Sequence, residues 1–406
     1  MSEWKEIKLR EVVSSNRRSI SYGYPYKTIK YLDTGSITRG KIEGFQDFNL
    51  PDAPSRAKRL VKNKDIIYST VRPIQRHYGF IINPPENLVV STGFSVIETN
   101  KEKADPLFIY YFLTSDEIVE TLDVIADGST SAYPSLKPTD IENLDIIIPP
   151  LPEQKAIAAV LSSLDDKIDL LHRQNKTLEA LAETLFRQWF VEPFDNAQGR
   201  EARDDWEEGK LGEILTVKGG TTPSTKVKEY WDGDINWTAP RDLSNNPHIF
   251  IFDTARKITK KGLEKISSGL LPIGTILLSS RAPIGYIAIT EIPLAINQGY
   301  IAILDNKGFS KYFLYLWIKA NLDYIISNAN GSVFPEISKS VFRSLEIQKP
   351  PSSLRLEFEN QIIPLFEKIR ANSYQIRTLG KMRDTLLPKL MSGDIRVKTH
   401  GRASQP

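Results

Sequence analysis

The sequence predicts an α/β (α+β) protein with two tandem, pseudo-twofold-related globular domains separated by an antiparallel pair of long coiled-coil helices. Three observations predict this fold: an internal repeat of about two hundred residues, a β-rich texture in each copy that ends at paired prolines, and a heptad pattern after each pair. Trp4 and Leu9, for example, recur as Trp206 and Leu211. A repeat of this length is a folding domain, because solenoid units are much shorter.

The paired prolines mark the predicted domain boundaries. We expect a first domain over residues 1–150, a helix over 151–195, a second domain over 196–350, a second helix over 351–395 and a disordered tail over 396–406. Proline cannot continue a strand ladder but is well tolerated in the first turn of a helix, so each pair suits a strand-to-helix junction.

The apolar positions after each junction alternate spacings of four and three residues, which predicts a coiled-coil seam. The first seam is Ile157, Leu161, Leu164, Ile168, Leu171, Asn175, Leu178, Ala182, Leu185 and Trp189. The second seam is Phe358, Ile362, Leu365, Ile369, Asn372, Ile376, Leu379, Arg383, Leu386 and Leu390. An internal twofold axis makes the two helices antiparallel.

Each seam contains a single asparagine, and this fixes a register. Placing Asn175 opposite Asn372 lets the two amides satisfy each other and superimposes the remaining apolar layers. The overlap of 34 residues spans roughly 51 Å, which is commensurate with two half-sites on one face of B-DNA. In the second helix, Pro364, Gly380 and Pro388 predict a helix that is kinked or less regular than the first.

Composition excludes several classes of site. The 406 residues include no cysteine, which rules out disulfides, thiolate zinc sites and cysteine nucleophiles and favours a cytoplasmic protein. No apolar stretch is long enough for a membrane helix. The net charge of +3 is uninformative, but residues 1–80 hold sixteen Lys and Arg against eight Asp and Glu, whereas residues 81–150 hold three against twelve. This asymmetry predicts a basic face suited to nucleic acid, although a solvated surface of mixed charge explains it about as well.

No constellation of catalytic residues is found. Asn83-Pro84-Pro85-Glu86 resembles an amino-methyltransferase motif, but Glu86 cannot stack on a flipped base, so a Pro-Pro loop is the better interpretation. The four histidines lie in unrelated segments, which favours neither a metal site nor a catalytic triad. We therefore predict a non-catalytic protein without a metal site.

Several motifs resemble those of the specificity subunits of type I restriction-modification systems. They are the opening Trp4-Lys5-Glu6, the Gly-Ser segments that begin at Gly128 and Gly331, the junction Pro149–Ala158 and the ending Leu386–Ile395. The second junction, Pro350–Arg355, lacks the Glu-Gln pair of the first. The resemblance implies two target-recognition domains that read a split sequence in double-stranded DNA, and helices that dock methyltransferase subunits, in two copies, together with restriction or translocase subunits. It also implies that S-adenosylmethionine, ATP and Mg belong to those partners.

Candidate DNA contacts are basic residues for phosphates and guanines, and amides or hydroxyls for base edges. In the first domain they are Arg56, Lys58, Arg59, Arg72, Arg76, His77, Ser131 and Tyr133. In the second they are Lys226, Lys228, Arg241, Arg281, Asn297, Gln298 and Ser332. Arg72 and Arg281 follow related apolar strands, one place apart in the simple alignment. Structural roles in turns, in the core or on a solvated surface explain each of these residues about as well.

The sequence thus predicts a DNA-recognition subunit that positions a methyltransferase. Two other functions stay open: a coiled-coil scaffold that binds only proteins, and a standalone methyltransferase. Salt-sensitive DNA binding would distinguish a DNA-recognition subunit from a scaffold that binds only proteins. Methyl transfer by the purified chain would establish a standalone methyltransferase.

Overall fold

The structure is a computed structural model that describes residues 4–129, 134–192, 205–244, 248–305, 307–331 and 335–397. The chain divides into two compact units, one formed by Met1–Lys167 with Thr378–Pro406 and the other by Ile168–Arg377. Each unit contains one β-rich domain and part of both long helices. The compact units therefore divide within the helices, whereas the paired prolines mark where β-rich sequence gives way to helix.

The first unit begins with short strands and ends at the first long helix. Its strands are β1 (Lys5–Lys8), β2 (Val13–Ser15), β3 (Thr28–Leu32), β4 (Ile37–Thr38), β5 (Lys41–Ile42), β6 (Gln46–Asn49), β7 (Ala57–Leu60), β8 (Ile66–Ser69), β9 (Tyr78–Phe80), β10 (Leu88–Ser91), β11 (Phe94–Thr99) and β12 (Asp145–Ile148). Its helices are α1 (Pro106–Thr114), α2 (Asp116–Asp127), α3 (Pro138–Glu142) and the start of α4 (Leu151–Phe190).

The second unit repeats this order of elements with some additions. Its strands are β13 (Glu207–Lys210), β14 (Thr216–Lys218), β15 (Trp231–Thr238), β16 (Phe250–Ile251), β17 (Arg256–Ile258), β18 (Ile276–Ser280), β19 (Ile284–Thr290), β20 (Ala295–Ile296), β21 (Tyr300–Asp305) and β22 (Glu346–Lys349). Its helices are α5 (Leu211–Ile214), α6 (Pro240–Ser244), α7 (Lys260–Leu263), α8 (Lys311–Ala320), α9 (Leu322–Ser327), α10 (Lys339–Ser344) and part of α11 (Ser352–Ser392).

The sheets of the two units share a common core topology, to which β7 is added in the first unit and β16 in the second. In the first unit the strand orders are β1-β12, β6-β3-β10-β7 and β2-β11-β8-β9, beside the β4-β5 ribbon. In the second they are β13-β22, β17-β15-β20 and β14-β21-β18-β19-β16. β3 pairs parallel with β10, as β15 does with β20. The sequence repeat is thus a repeat of topology.

Burial explains why the central strands form. Every residue of β8 and of β18 is buried, which is the pattern of a strand covered on both faces. The helices that follow the sheets begin at well-defined caps. Asp105 accepts hydrogen bonds from the backbone of Leu107 and Phe108 at the start of α1, and Ser310 accepts one from Phe313 at the start of α8.

The long helices α4 and α11 run antiparallel within each unit. In the second unit the ring of Phe190 lies 4.7 Å from that of Phe358, while Asn175 contacts Asn372. In the first unit Arg383, the basic exception in the predicted seam, donates to Asp165 across 2.8 Å. Residues later in α4 therefore contact residues earlier in α11, as the sequence predicts.

The second long helix continues from Ser352 to Ser392 through Pro364, Gly380 and Pro388. Ile362 and Phe366, on either side of Pro364, are fully buried. Packing of this apolar face holds the helix together where the proline removes one backbone hydrogen bond.

The second junction compensates for the missing Glu-Gln pair. Gln154 accepts a 2.8 Å hydrogen bond from the backbone N–H of Asp105, the residue that caps α1. Glu359 accepts a bond of the same length from Ser310, which caps α8. Both pairs are 49 residues apart, so Glu359 is the equivalent of Gln154. The residue offset that aligns the two seams would put the equivalent of Gln154 one helical turn before Glu359. A shift of one turn keeps the side chain on the same face of the helix.

The sequence predicts a disordered tail from residue 396, but residues 396 and 397 are packed against the first unit. Arg396 donates two hydrogen bonds to the carboxylate of Glu153, at 2.6 and 2.8 Å, and Val397 packs against the core of the first unit. These bonds hold the pKa of Glu153 below its usual value. The chain is therefore anchored through residue 397, and residues 398–406 lie outside the described part.

Candidate nucleic-acid interface

One edge of the second unit gathers the ends of several strands. β15 and β20 are parallel, with Thr238 paired to Ile296, so the residues that follow both strands leave at the same edge. β18 pairs antiparallel with β21, with Ser279 opposite Tyr300, and the backbone N–H of Ser280 donates to Gly299 over 2.8 Å. The sheet topology thus brings the loops that follow β15, β18 and β20 to one place.

These loops are joined by direct contacts, and we call them the second rim: residues 220–222, 239–241, 297–299, 281 and 336. The Thr222 hydroxyl donates to Gln298 Oε1 over 2.8 Å. Gly299 lies so near Pro240 that a Cβ atom would sit 2.9 Å from its ring. The backbones of Arg281 and Glu336 form an isolated β-bridge, and their side chains lie 3.5 Å apart.

The first unit builds an equivalent edge, the first rim: residues 33–36, 56, 70–72, 91–93 and 135. Leu32 and Val90 are paired at the ends of the parallel strands β3 and β10. Thr70 donates to the Gly93 carbonyl through its N–H at 2.8 Å and its hydroxyl at 2.9 Å. The N–H of Thr92 donates to the carbonyl of Arg56 over 2.9 Å. The first rim is therefore held together by backbone hydrogen bonds, with the Thr70 hydroxyl adding a side-chain contact.

The backbone contacts fix which positions correspond. The backbone N–H of Thr70 donates to the Gly93 carbonyl, and the N–H of Ser280 donates to the Gly299 carbonyl in the same way. Val71 forms an isolated β-bridge with Ser135, and Arg281 forms one with Glu336. Arg281 is therefore the counterpart of Val71. The next residues, Arg72 and Ala282, share left-handed backbone conformations with φ of 47° and 51°. Arg72 and Arg281 are thus one position apart in the fold, as they are in the sequence alignment.

The predicted residues of the first domain divide into two groups. Arg56, Lys58 and Arg72 are exposed at or beside the first rim. Arg59 instead donates to Asn16 Oδ1 and to the Phe94 carbonyl, and burial lowers the pKa of its guanidinium. The Arg59 guanidinium thus makes hydrogen bonds within the first unit.

Arg76 and His77 also make contacts within the first unit. Arg76 Nη1 lies 2.6 Å from the Asp116 carboxylate. His77 Nδ1 lies 2.6 Å from the carbonyl oxygen of Ile37. These contacts hold both side chains against the fold next to the exposed Arg39, whose N–H donates to the Arg76 carbonyl.

In the second domain the rim contains Arg241, Arg281, Asn297 and Gln298. Arg241 is exposed at the start of α6, and Gln298 is exposed next to it in the loop before β21. Asn297 Oδ1 accepts from the N–H of Gly299 over 2.8 Å, which supports the turn. Exposed lysines precede β15 at positions 226 and 228. Three predicted residues, Ser131, Tyr133 and Ser332, lie outside the described residues.

The sequence interpretation missed part of both rims. Ser91-Thr92-Gly93 in the first unit corresponds to Asn297-Gln298-Gly299 in the second, and both are followed by a buried aromatic residue. A Gly-aromatic dipeptide in each copy was the available signal. Lys339 was also missed. Its Nζ lies 2.9 Å from the position that a Cβ on Gly219 would take, which adds a cation beside the second rim.

The asparagines of the helix seam form the predicted pair within the second unit. Asn372, which is 1% exposed, donates from Nδ2 to Asn175 Oδ1 over 2.9 Å. Asn175 in turn donates to the Ser373 hydroxyl over 3.3 Å. A buried amide pair of this kind satisfies itself only in one register.

Replacing Asn372 with leucine is expected to lower the free energy of unfolding by about 1–3 kcal/mol, because the oxygen of the partly buried Asn175 loses its donor. Replacing both asparagines with leucine removes both polar groups and is expected to recover most of that loss. Urea unfolding of the full chain measures both. If the double variant is at least as unstable as the sum of the single variants, the two amides do not stabilise each other.

None of the described helices combines the length and apolarity that crossing a membrane requires. Across the described ranges, no three His, Asp or Glu side chains are grouped as ligands of a metal ion would be.

Comparison with known proteins places this geometry in a family. A family model described as the type I restriction modification DNA specificity domain matches residues 1–180 and 203–363. The chain is 27% identical over 463 residues to the HindI specificity subunit of Haemophilus influenzae, which covers 97% of this chain and 100% of that protein. It is 46% identical over 148 residues to the MjaIX specificity subunit of Methanocaldococcus jannaschii, covering 36% of this chain and 34% of the relative.

A solved structure shares the fold. The type I restriction-modification S subunit from M. genitalium matches with a TM-score of 0.58 and 18% identity, covering 96% of each chain. The predicted class, tandem α/β domains with long helices, is confirmed. Because the family model matches the greater part of the sequence in two separate segments, the chain belongs to the type I restriction-modification DNA specificity family.

Proposed function

We propose that this chain is a non-catalytic DNA specificity subunit that reads a split target, with one part read by each rim. The observation that supports this most directly is the equivalence of the two rims. Each is assembled from the ends of corresponding strands, and each presents arginine together with hydroxyl or amide side chains. These groups bind phosphates and base edges in protein–DNA complexes. Family membership favours this function over a protein-only scaffold.

In this proposal, cations position the duplex and the rims discriminate between sequences. Exposed Arg56 lies in the first rim with Lys58 beside it, while exposed Arg241 lies in the second rim and Lys226 and Lys228 lie elsewhere on the second domain. Contacts of these side chains with phosphates supply affinity that is independent of sequence. Discrimination then comes from the loops that follow β8 and β10 in one domain and β18 and β20 in the other.

The two long helices are proposed to dock methyltransferase subunits, one copy at each end of the pair, with restriction or translocase subunits joining the complex. Large apolar side chains on both helices support a protein-binding role. Leu170 and Leu181 on α4 are 40% and 45% exposed, and Leu356 and Met382 on α11 are 55% and 47% exposed. S-adenosylmethionine, ATP and Mg are assigned to those partners. No step of the chemistry is assigned to a residue of this chain.

The direct test is DNA binding by the purified full chain as a function of salt. If the five exposed cations above contact phosphates, the logarithm of the association constant should fall with the logarithm of salt concentration with a slope of about −4 to −5. The variant R56A/R241A should reduce that slope by about 2. A matched control, K155A/K381A, removes two exposed lysines from the helices and should leave the slope unchanged. Binding that does not depend on salt would contradict the proposal and favour a scaffold.

A further inference from the structure

The equivalent positions of the two rims hold side chains of opposite chemistry. Val71 and Arg281 both follow the central buried strand of their domain, and both are bridged to the strand-like segment that precedes the last helix of the domain. Val71 is 37% exposed, and the Arg281 side chain is 39% exposed. The same backbone framework thus presents an apolar group in one rim and a guanidinium in the other.

The surroundings of each position match its chemistry. Beside Val71, Ile74 is 50% exposed, and the bridging residue is the neutral Ser135. Ile284 lies three residues after Arg281, at the start of β19, and is only 7% exposed, and the residue that bridges Arg281 is Glu336. Val71 therefore has an exposed isoleucine three residues away and the exposed Arg72 next to it, whereas Arg281 is part of an ion pair.

That ion pair is weak enough to be exchanged. Arg281 Nη1 and Glu336 Oε2 are 3.5 Å apart, and their side chains are 39% and 48% exposed. An exposed pair at this separation contributes little to stability, so the guanidinium can leave Glu336 for another acceptor at small cost. Guanine presents two acceptors in the major groove, O6 and N7, with the spacing of the arginine fork.

Valine has a different counterpart in the same groove. The one apolar group that distinguishes a base pair there is the 5-methyl of thymine. An exposed valine cannot donate or accept a hydrogen bond, so packing against this methyl is the only direct readout open to it. Position 71 therefore suits an A·T pair, and position 281 suits a G·C pair.

We propose that Val71 and Arg281 are equivalent specificity-determining residues, and that Val71 packs on a thymine methyl in one half of the target while Arg281 donates to guanine O6 and N7 in the other. This inference rests on the proposed function, because it names the bases that the two rims read. It accounts for how one repeated framework reads two different half-sites.

The test uses the full chain and duplexes that carry its methylated motif, with single-atom changes in the bases. Uracil replaces each thymine in turn and lacks the 5-methyl, and 7-deazaguanine replaces each guanine and lacks N7. We expect one uracil position in one half-site to weaken binding about threefold to tenfold for the native chain but not for Val71→Ala. We expect one deazaguanine position in the other half-site to weaken binding about tenfold for the native chain but not for Arg281→Val.

The controls separate this inference from loss of folding and from failure of the proposed function. Val191→Ala removes the same two methyl carbons from an exposed valine outside both rims and should leave every base dependence unchanged. Arg281→Lys should retain part of the guanine dependence, since lysine donates as a point charge. If the native chain binds its motif but no uracil position depends on Val71 and no deazaguanine position depends on Arg281, the inference is wrong while the proposed function stands. If the native chain does not select any DNA sequence, the proposed function itself fails.

Discussion

Replacing Phe358 with alanine is expected to lower the free energy of unfolding of the second unit by about 3–5 kcal/mol. Phe358 is fully buried, and its ring lies 4.7 to 6.3 Å from those of Phe186, Trp189, Phe190 and Phe313. Removing it opens a cavity where α4, α8 and α11 meet, and each of these aromatic rings loses packing contacts.

Denaturant unfolding of the full chain, followed by tryptophan fluorescence, measures the effect, with a separate transition expected for each unit. Leu356→Ala is the matched control, because Leu356 lies two residues away on the same helix and is 55% exposed. It should change stability by no more than about 0.5 kcal/mol. A loss below about 1 kcal/mol for Phe358→Ala would show that this aromatic cluster does not hold the helices to the domain.

Replacing Gly220 with alanine is expected to disable the second rim selectively. A Cβ at this position would lie 1.8 Å from the carbonyl oxygen of Ile296, so the backbone of one loop must move. The loop of residues 219–222 shifts away from β20, which breaks the hydrogen bond between Thr222 and Gln298. We expect a stability loss of about 1–3 kcal/mol and an affinity loss of roughly tenfold or more for the native target.

Gly44→Ala is the control for this substitution, because no atom lies within 4 Å of the Cβ that it adds. Competition binding with duplexes altered in one half-site or the other identifies the affected rim. We expect Gly220→Ala to abolish discrimination in one half only. Equal loss in both halves, or full discrimination in both, would mean that the second rim does not read one half independently.

The sequence predicts those features that depend on a regular pattern. The two heptad seams contain one asparagine each, and that regularity was enough to give the pairing of Asn175 with Asn372. The one-place offset between Arg72 and Arg281 was visible in the alignment, and the fold shows that Arg281 corresponds to Val71. Local spacing carries such information because helices and strands have fixed periods.

Other features depend on contacts between distant parts of the chain. Arg59 looks like any surface cation in the sequence, yet it is held by Asn16 and Phe94, so charge alone could not separate it from Arg56. Glu359 replaces Gln154 one helical turn later, which a constant offset conceals. Thr222 and Lys339 join the second rim only because the sheet topology brings their loops together.

The proposed function requires the chain to read a split DNA target through two equivalent rims. The most direct measurement is genome-wide mapping of methylated adenines in cells that carry this chain with its methyltransferase, compared with cells that lack this chain. We expect a split motif that disappears with the chain, and a change in only one half of it when residues 1–150 are exchanged for those of a relative. Unchanged methylation in cells without the chain, or simultaneous change of both halves on that exchange, would contradict it.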